Sequence, residues 1–145
     1  MQAVVNQNVE KSVHREILAL ITFPMNMSAF RKEAGELVRI PNKWILRNTT
    51  HPMVALDNNV AELSDGTFVK DIYHNNPKFY YGKIEVVENS VPVFTRNGTI
   101  SRYLTIGQVL KVVSTNDINS ILFLGINERE IINSNSKGII FCPLS

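Results

Sequence analysis

Apolar residues at Val9, Val13, Ile17 and Leu20 or Ile21 recur at three- and four-residue steps. That spacing predicts an amphipathic helix over 9–21, capped by Asn8 and stopped by Pro24. Glu10 in its first turn suits the helix dipole. The preceding MQAVVNQN is polar without a helical period and reads as an arm. Ser28 is a second candidate cap, before a short helical stretch AFRKEAGE that Gly35 would end. LVRI then reads as a strand up to Pro41, while the adjacent Trp44, Ile45 and Leu46 fit a strand or a helical turn equally.

From residue 52 the pattern turns to short apolar runs between turn residues. NVAEL and TFVKDI flank Ser64-Asp65-Gly66 as a hairpin, HNNPK is a turn or loop, and FYYGKIEVV is a long strand with Gly82 as a bulge or bend. VPVFTR and TISRYL flank Asn97-Gly98, which predicts a type I′ turn with Thr95 facing Ile100 and Val93 facing Arg102. Pro92 cannot donate to a ladder, so that strand lies at a sheet edge or begins irregularly. Gly107 breaks the chain before QVLKVV, STNDIN reads as a loop before SILFLGI, and GIIFCPL closes the series. The expected fold is mainly β: a small barrel or sandwich with an N-terminal arm and one or two short helices. The expected division is an arm and helix over 1–27 and a β-rich domain over 28–145.

The C-terminal half, with KIEVVENSVPVFTRNGTISRYLTIGQVLKVV, ILFLG and KGIIF, resembles a bacterial SH3-type barrel over residues 83–145. The points of likeness are a valine strand, a looped hairpin, the turn Leu104-Thr105-Ile106-Gly107, and Gly138 before a closing strand. Wall-binding members carry aromatics near that closing glycine, where this chain has Ser136-Lys137-Gly138-Ile139. The resemblance implies a fold more than a function, with a cell-wall-binding module as its functional corollary.

Composition narrows the classes. The 145 residues suit one domain with a real core. An apolar fraction of 44% argues against global disorder, and a net charge of +2 is too balanced to imply nucleic-acid binding by itself. Sixteen asparagines are conspicuous, and an AT-rich coding genome accounts for them. The single Cys142 excludes an internal disulfide and suits an intracellular setting. The longest apolar run, Ile17 to Met25, is too short for a membrane helix and lacks the form of a signal peptide. Sequons at Asn26, Asn48 and Asn97 are near the number expected by chance.

No catalytic or metal motif stands out. His14, His51 and His74 are not spaced as ligands, the seven glycines form no phosphate loop, and no pair of carboxylates is marked out. No catalytic residue, metal or cofactor is expected. One basic segment carries Arg31, Lys32, Arg39, Lys43 and Arg47 around Trp44, suited to phosphate contacts and stacking, with Glu33 and Glu36 interrupting it. The arm, the β domain, the lone cysteine and the AT-rich composition point to a structural or accessory protein of a large assembly. A tailed-bacteriophage virion, assembled in the host cytoplasm, is the preferred case, in head decoration, head–tail joining or the tail. Partner contacts are expected from Val9, Val13 and Ile17 on the helix and from Arg96, Asn97 and Arg102 at the hairpin. A nucleic-acid-binding module using Arg31 to Arg47 is the alternative. Other protein subunits are the expected partners, and no membrane.

Overall fold

Alternation with a period of two, not helical spacing, organises the chain from Ala19 onward. The structure is a computed structural model and describes residues 15–144. The strands are β1 (Ala19–Thr22), β2 (Met27–Glu33), β3 (Glu36–Ile45), β4 (Thr50–Asp57), β5 (Val60–Leu63), β6 (Phe68–Val69), β7 (Lys78–Tyr80), β8 (Gly82–Val86), β9 (Val91–Thr95), β10 (Ile100–Leu104), β11 (Val109–Val112), β12 (Ser114–Ile118), β13 (Ile121–Gly125), β14 (Glu130–Asn133) and β15 (Ile139–Pro143). One 3-10 turn, Ile72–Asn75, is the sole helical element among the described residues, and no helix there is long and apolar enough to cross a membrane. The chain divides into two compact units, the first running to Pro77 and the second spanning Lys78–Leu144.

In the first unit antiparallel strands lie in the order β3-β2-β6-β5-β4-β1. Ala19 and Ile21, Met27 and Ala29, Ala61 and Leu63, and Val69 alternate onto a buried face, joined by Phe23, Met53 and Ile72. Both predicted helices are corrected here within the described residues. Ala19–Thr22 is β1, with Ala19 and Ile21 fully buried and Leu20 and Thr22 on the other side. Ile17 and Ile21 satisfy a helical step and a strand alternation alike, and pairing with β4 decides for the strand. Val9 and Val13 lie outside the described residues. AFRKEAGE is β2 and a hairpin tip rather than a helix: Ala34 and Gly35 both have positive φ, 50° and 81°, and Glu33 faces Glu36. Gly at positive φ serves a helix end and a hairpin tip equally. The helix propensity of Ala, Arg, Lys and Glu yields to cross-strand pairing.

The second unit contains two antiparallel sheets, β10-β9-β14-β13-β12 and β11-β8-β15. They share one core of Ile84, Val86, Val91, Val93, Leu104, Val112, Leu124 and Ile132. Residues 83–144 fall within this unit. STNDIN is not a loop but β12, turning through Asn119 and Ser120 (φ 51° and 67°) into β13. β9 is an interior strand rather than an edge. β14 pairs only its Phe94 and Thr95, so Pro92 sits beyond that ladder.

The asparagines have a structural use. Asn42, Asn48, Asn58, Asn59, Asn76 and Asn119 hold positive φ, a conformation Asn tolerates best among residues with a Cβ. The amide oxygens of Asn127 and Asn133 accept backbone N–H bonds two residues on, in turns, and those of Asn26, Asn59 and Asn89 accept backbone N–H groups from distant segments.

Gly82 divides the predicted long strand into β7 and β8. Its φ is +140°, and a Cβ there would lie 2.3 Å from the Cys142 carbonyl oxygen of β15. Gly98, at φ +94°, has open space around it. Gly82→Ala is expected to destabilise the protein by more than about 2 kcal/mol, through backbone strain and displacement of β15. Gly98→Ala should cost only about 1 kcal/mol. Urea unfolding of the two variants checks the difference, and equal midpoints would contradict it.

Candidate partner-binding site

The β9–β10 connection is built by threonines. Thr95 N–H donates to the Thr99 carbonyl at 2.8 Å and Gly98 N–H to the Thr95 carbonyl at 3.0 Å. The two threonine hydroxyls lie 2.8 Å apart, and both bond the Asn97 amide oxygen. Of Asn97 and Gly98 only Gly98 has positive φ. The turn is therefore a longer one with a bulge, not the predicted type I′. Its effect is a one-residue shift: Ile100 faces Phe94 rather than Thr95, while Arg102 faces Val93 as expected.

Two arginines tie this hairpin to its neighbours. Arg96 Nε donates to the Glu128 carbonyl at 2.9 Å and its Nη1 to Asn116 Oδ1 at 3.1 Å. Arg102 holds Glu130 through two parallel bonds, Nη2 to Oε1 at 3.0 Å and Nε to Oε2 at 3.1 Å. Ser101 Oγ and Asn127 Nδ2 also donate to Glu130, at 2.5 and 2.8 Å. The Arg102 hydrogen bonds, then those of Ser101 and Asn127, outweigh burial and hold the Glu130 carboxyl down at about 2. Glu130 is a structural anion.

Between the hairpin and β12–β14 lies a cavity of about 310 Å³. Phe94, Ile118, Phe123 and Ile131 form its apolar lining, with Arg96, Asn97 and Asn133 among the polar groups. These strand residues lie on the face opposite the core, because Phe94 pairs Ile131 while Phe123 pairs both Asn116 and Asn133. Of the expected contact residues, Arg96 and Asn97 line this cavity and Arg102 does not; Ile17 is half-buried in the first unit. Phe94, Phe123, Ile131 and Asn133 were not expected. The available signal was Phe94 following Val91 and Val93, and Phe123 between Leu122 and Leu124: apolar residues at both parities of a strand imply that both faces are covered.

The basic segment is divided. Lys32, Arg39 and Trp44 share the outer face of the β2–β3 hairpin, since their cross-strand partners are Leu37, Phe30 and Ser28, whereas Arg31 pairs with Val38 on the other side. Arg31 is ion-paired with Glu33. Arg39 lies 4.7 Å over the Trp44 ring, and Lys32 lies 5.6 Å over Phe68. Lys43 reaches Thr67 Oγ1 at 3.1 Å and Asp65 at 3.8 Å. Partial burial raises the Asp65 carboxyl, but bonds from the Thr67 N–H and hydroxyl and the charge of Lys43 leave it below its ordinary value. The Arg47 N–H donates to Asn26 Oδ1. Among the described residues no three of His, Cys, Asp and Glu gather as a metal site.

A scan against protein-family models matches none, and no curated protein gives a significant sequence match.

Because the Glu130 carboxyl is lower in the folded chain than its ordinary 4.5, its contribution is complete above that value. It is lost as pH falls from about 4.5 through about 2. Stability in urea should therefore drop across that window. Glu130→Gln should be weaker by about 1–2 kcal/mol at pH 7 and flatter across the same window. An equally steep variant would place the acid sensitivity elsewhere.

Proposed function

We propose that this protein is a non-enzymatic structural or accessory component of a large assembly and acts through protein–protein contacts. The observation that supports this best is apolar exposure on strands that end their sheets. Ile100 and Tyr103 on β10 are 50% and 57% exposed, Val109 on β11 is 60% exposed and Ile140 on β15 is 49% exposed. Terminal strands with outward apolar side chains are templates for another chain. Val109 and Ile140 flank Glu85 in one cross-strand row, so they lie on the same face of the sheet at its two edges, on either side of that carboxylate. A tailed-bacteriophage particle is the assembly we favour, on the overall character of the chain.

The second reading is a nucleic-acid-binding module. It is favoured by the cation-bearing aromatic face of the first unit, where Phe30 pairs Phe68, Lys70 lies 5.0 Å over Phe30, and Lys32 and Arg39 cover Phe68 and Trp44. A base could stack on such rings while the cations meet phosphate. The ion pairs of Arg31 and Lys43 weigh against it.

Light scattering during size-exclusion chromatography, with absorbance at 260 and 280 nm, is expected to show a defined oligomer free of nucleic acid. Val109→Lys with Ile140→Lys should shift it to monomer without loss of the β-sheet circular dichroism. A wild-type monomer would count against the assembly. For the second reading, single-stranded DNA binding should weaken steeply with salt and disappear in Lys32→Glu with Arg39→Glu, which removes two cations of that face. Unchanged binding in that variant removes it.

A further inference from the structure

The cavity beside the β9–β10 hairpin has a chemistry of its own. Its volume of about 310 Å³ stands at the low end of the ~300–1,000 Å³ typical of ligand pockets. It has room for a single large apolar group rather than an extended ligand. The lining from Phe94, Ile118, Phe123 and Ile131 favours such a group.

The polar groups are biased toward donors. The Asn133 oxygen already accepts the Asn135 N–H at 2.8 Å, which fixes its NH2 as the free end. The Asn97 oxygen is taken by the Thr95 and Thr99 hydroxyls. Neither NH2 donates to a described residue. Arg96 is held by two neutral oxygens, and no carboxylate among the described residues pairs with it. Three donor groups and one uncompensated positive charge thus line a small apolar pocket. The complement is an apolar side chain with an anion close beside it. A polypeptide C-terminus ending in a large apolar residue carries both on one Cα.

We infer that this pocket binds the C-terminal residue of a partner chain, the apolar side chain against Phe94 and Phe123 and the carboxylate toward Arg96, Asn97 and Asn133. This rests on the reading of the protein as an assembly component, and it names the kind of partner that the hairpin face takes. Capture of a terminal carboxylate by convergent N–H donors is a known mode of peptide recognition.

The test uses the full chain, labelled with 15N, and an N-acetylated pentapeptide ending in phenylalanine. Saturable shifts are expected at Gly98 and at the Asn97 and Asn133 side-chain amides. The C-terminally amidated peptide should bind at least tenfold more weakly, as should the free-acid peptide to Arg96→Gln. Ile118→Trp, which fills the cavity and leaves Arg96 in place, should abolish the shifts while keeping the rest of the spectrum. No shift at millimolar peptide, or equal binding of acid and amide, overturns the inference. Binding of 3-phenylpropionate as tight as that of the peptide also overturns it, in favour of a small carboxylate. Light scattering on the same sample separates the two readings. An oligomer indifferent to the peptide overturns the C-terminus alone. A monomer that binds it selectively supports the pocket and counts against the oligomeric assembly.

Discussion

Register is the constraint on which the rest depends. A strand that slips by one residue turns every side chain to the opposite face. The two-residue tips at Ala34-Gly35, Asn58-Asn59 and Asn119-Ser120 set the pairings Glu33 to Glu36, Asp57 to Val60, and Ile118 to Ile121. Each tip holds two successive residues at positive φ, which matches the right-handed twist of the flanking strands. With those pairings in place, Ala61 and Leu63 or Leu124 and Ile132 meet their cores, and Phe68 or Phe123 is left to the outer face. The cavity and the aromatic face are therefore consequences of turn chemistry at a distance.

The β character of the chain, the 64–66 and 97–98 connections, the break at Gly107 and the closing strand were legible in the order of apolar runs and turn residues. The strands that stand where two helices were expected were not, because the residues involved satisfy both periods. Ile17 and Ile21 are four apart and also two β-steps apart, and Gly35 serves either a helix end or a hairpin tip. Asn58-Asn59 and Asn119-Ser120 lack the glycine that marks a tight hairpin most strongly, so β12 passed for loop. Asparagine supplied the positive φ instead. The abundance first attributed to codon usage thus has a structural role at many positions.

Of the candidate site, Arg96 and Asn97 were legible because they sit at a marked turn. The pocket they line was not. It needs β9, β14, β13 and β12 side by side, and β14 pairs with β9 across more than thirty residues. A separation of 28 residues likewise hid Glu130, whose bidentate partner Arg102 lies on another hairpin. A carboxylate in a sequence carries no sign of whether it is ion-paired.

The pairing of β15 with β8 spans the second unit from Gly82 to Pro143, whereas the hairpins β2–β3, β4–β5 and β12–β13 each join neighbours. Local hairpins close at little entropic cost, and a loop of that length closes late. On a ribosome the longer pairings of the first unit, β1 with β4 and β2 with β6, can close once residue 69 has emerged. The second must keep one edge of β8 open until residues 139–143 have emerged, so its completion is tied to the end of its own synthesis.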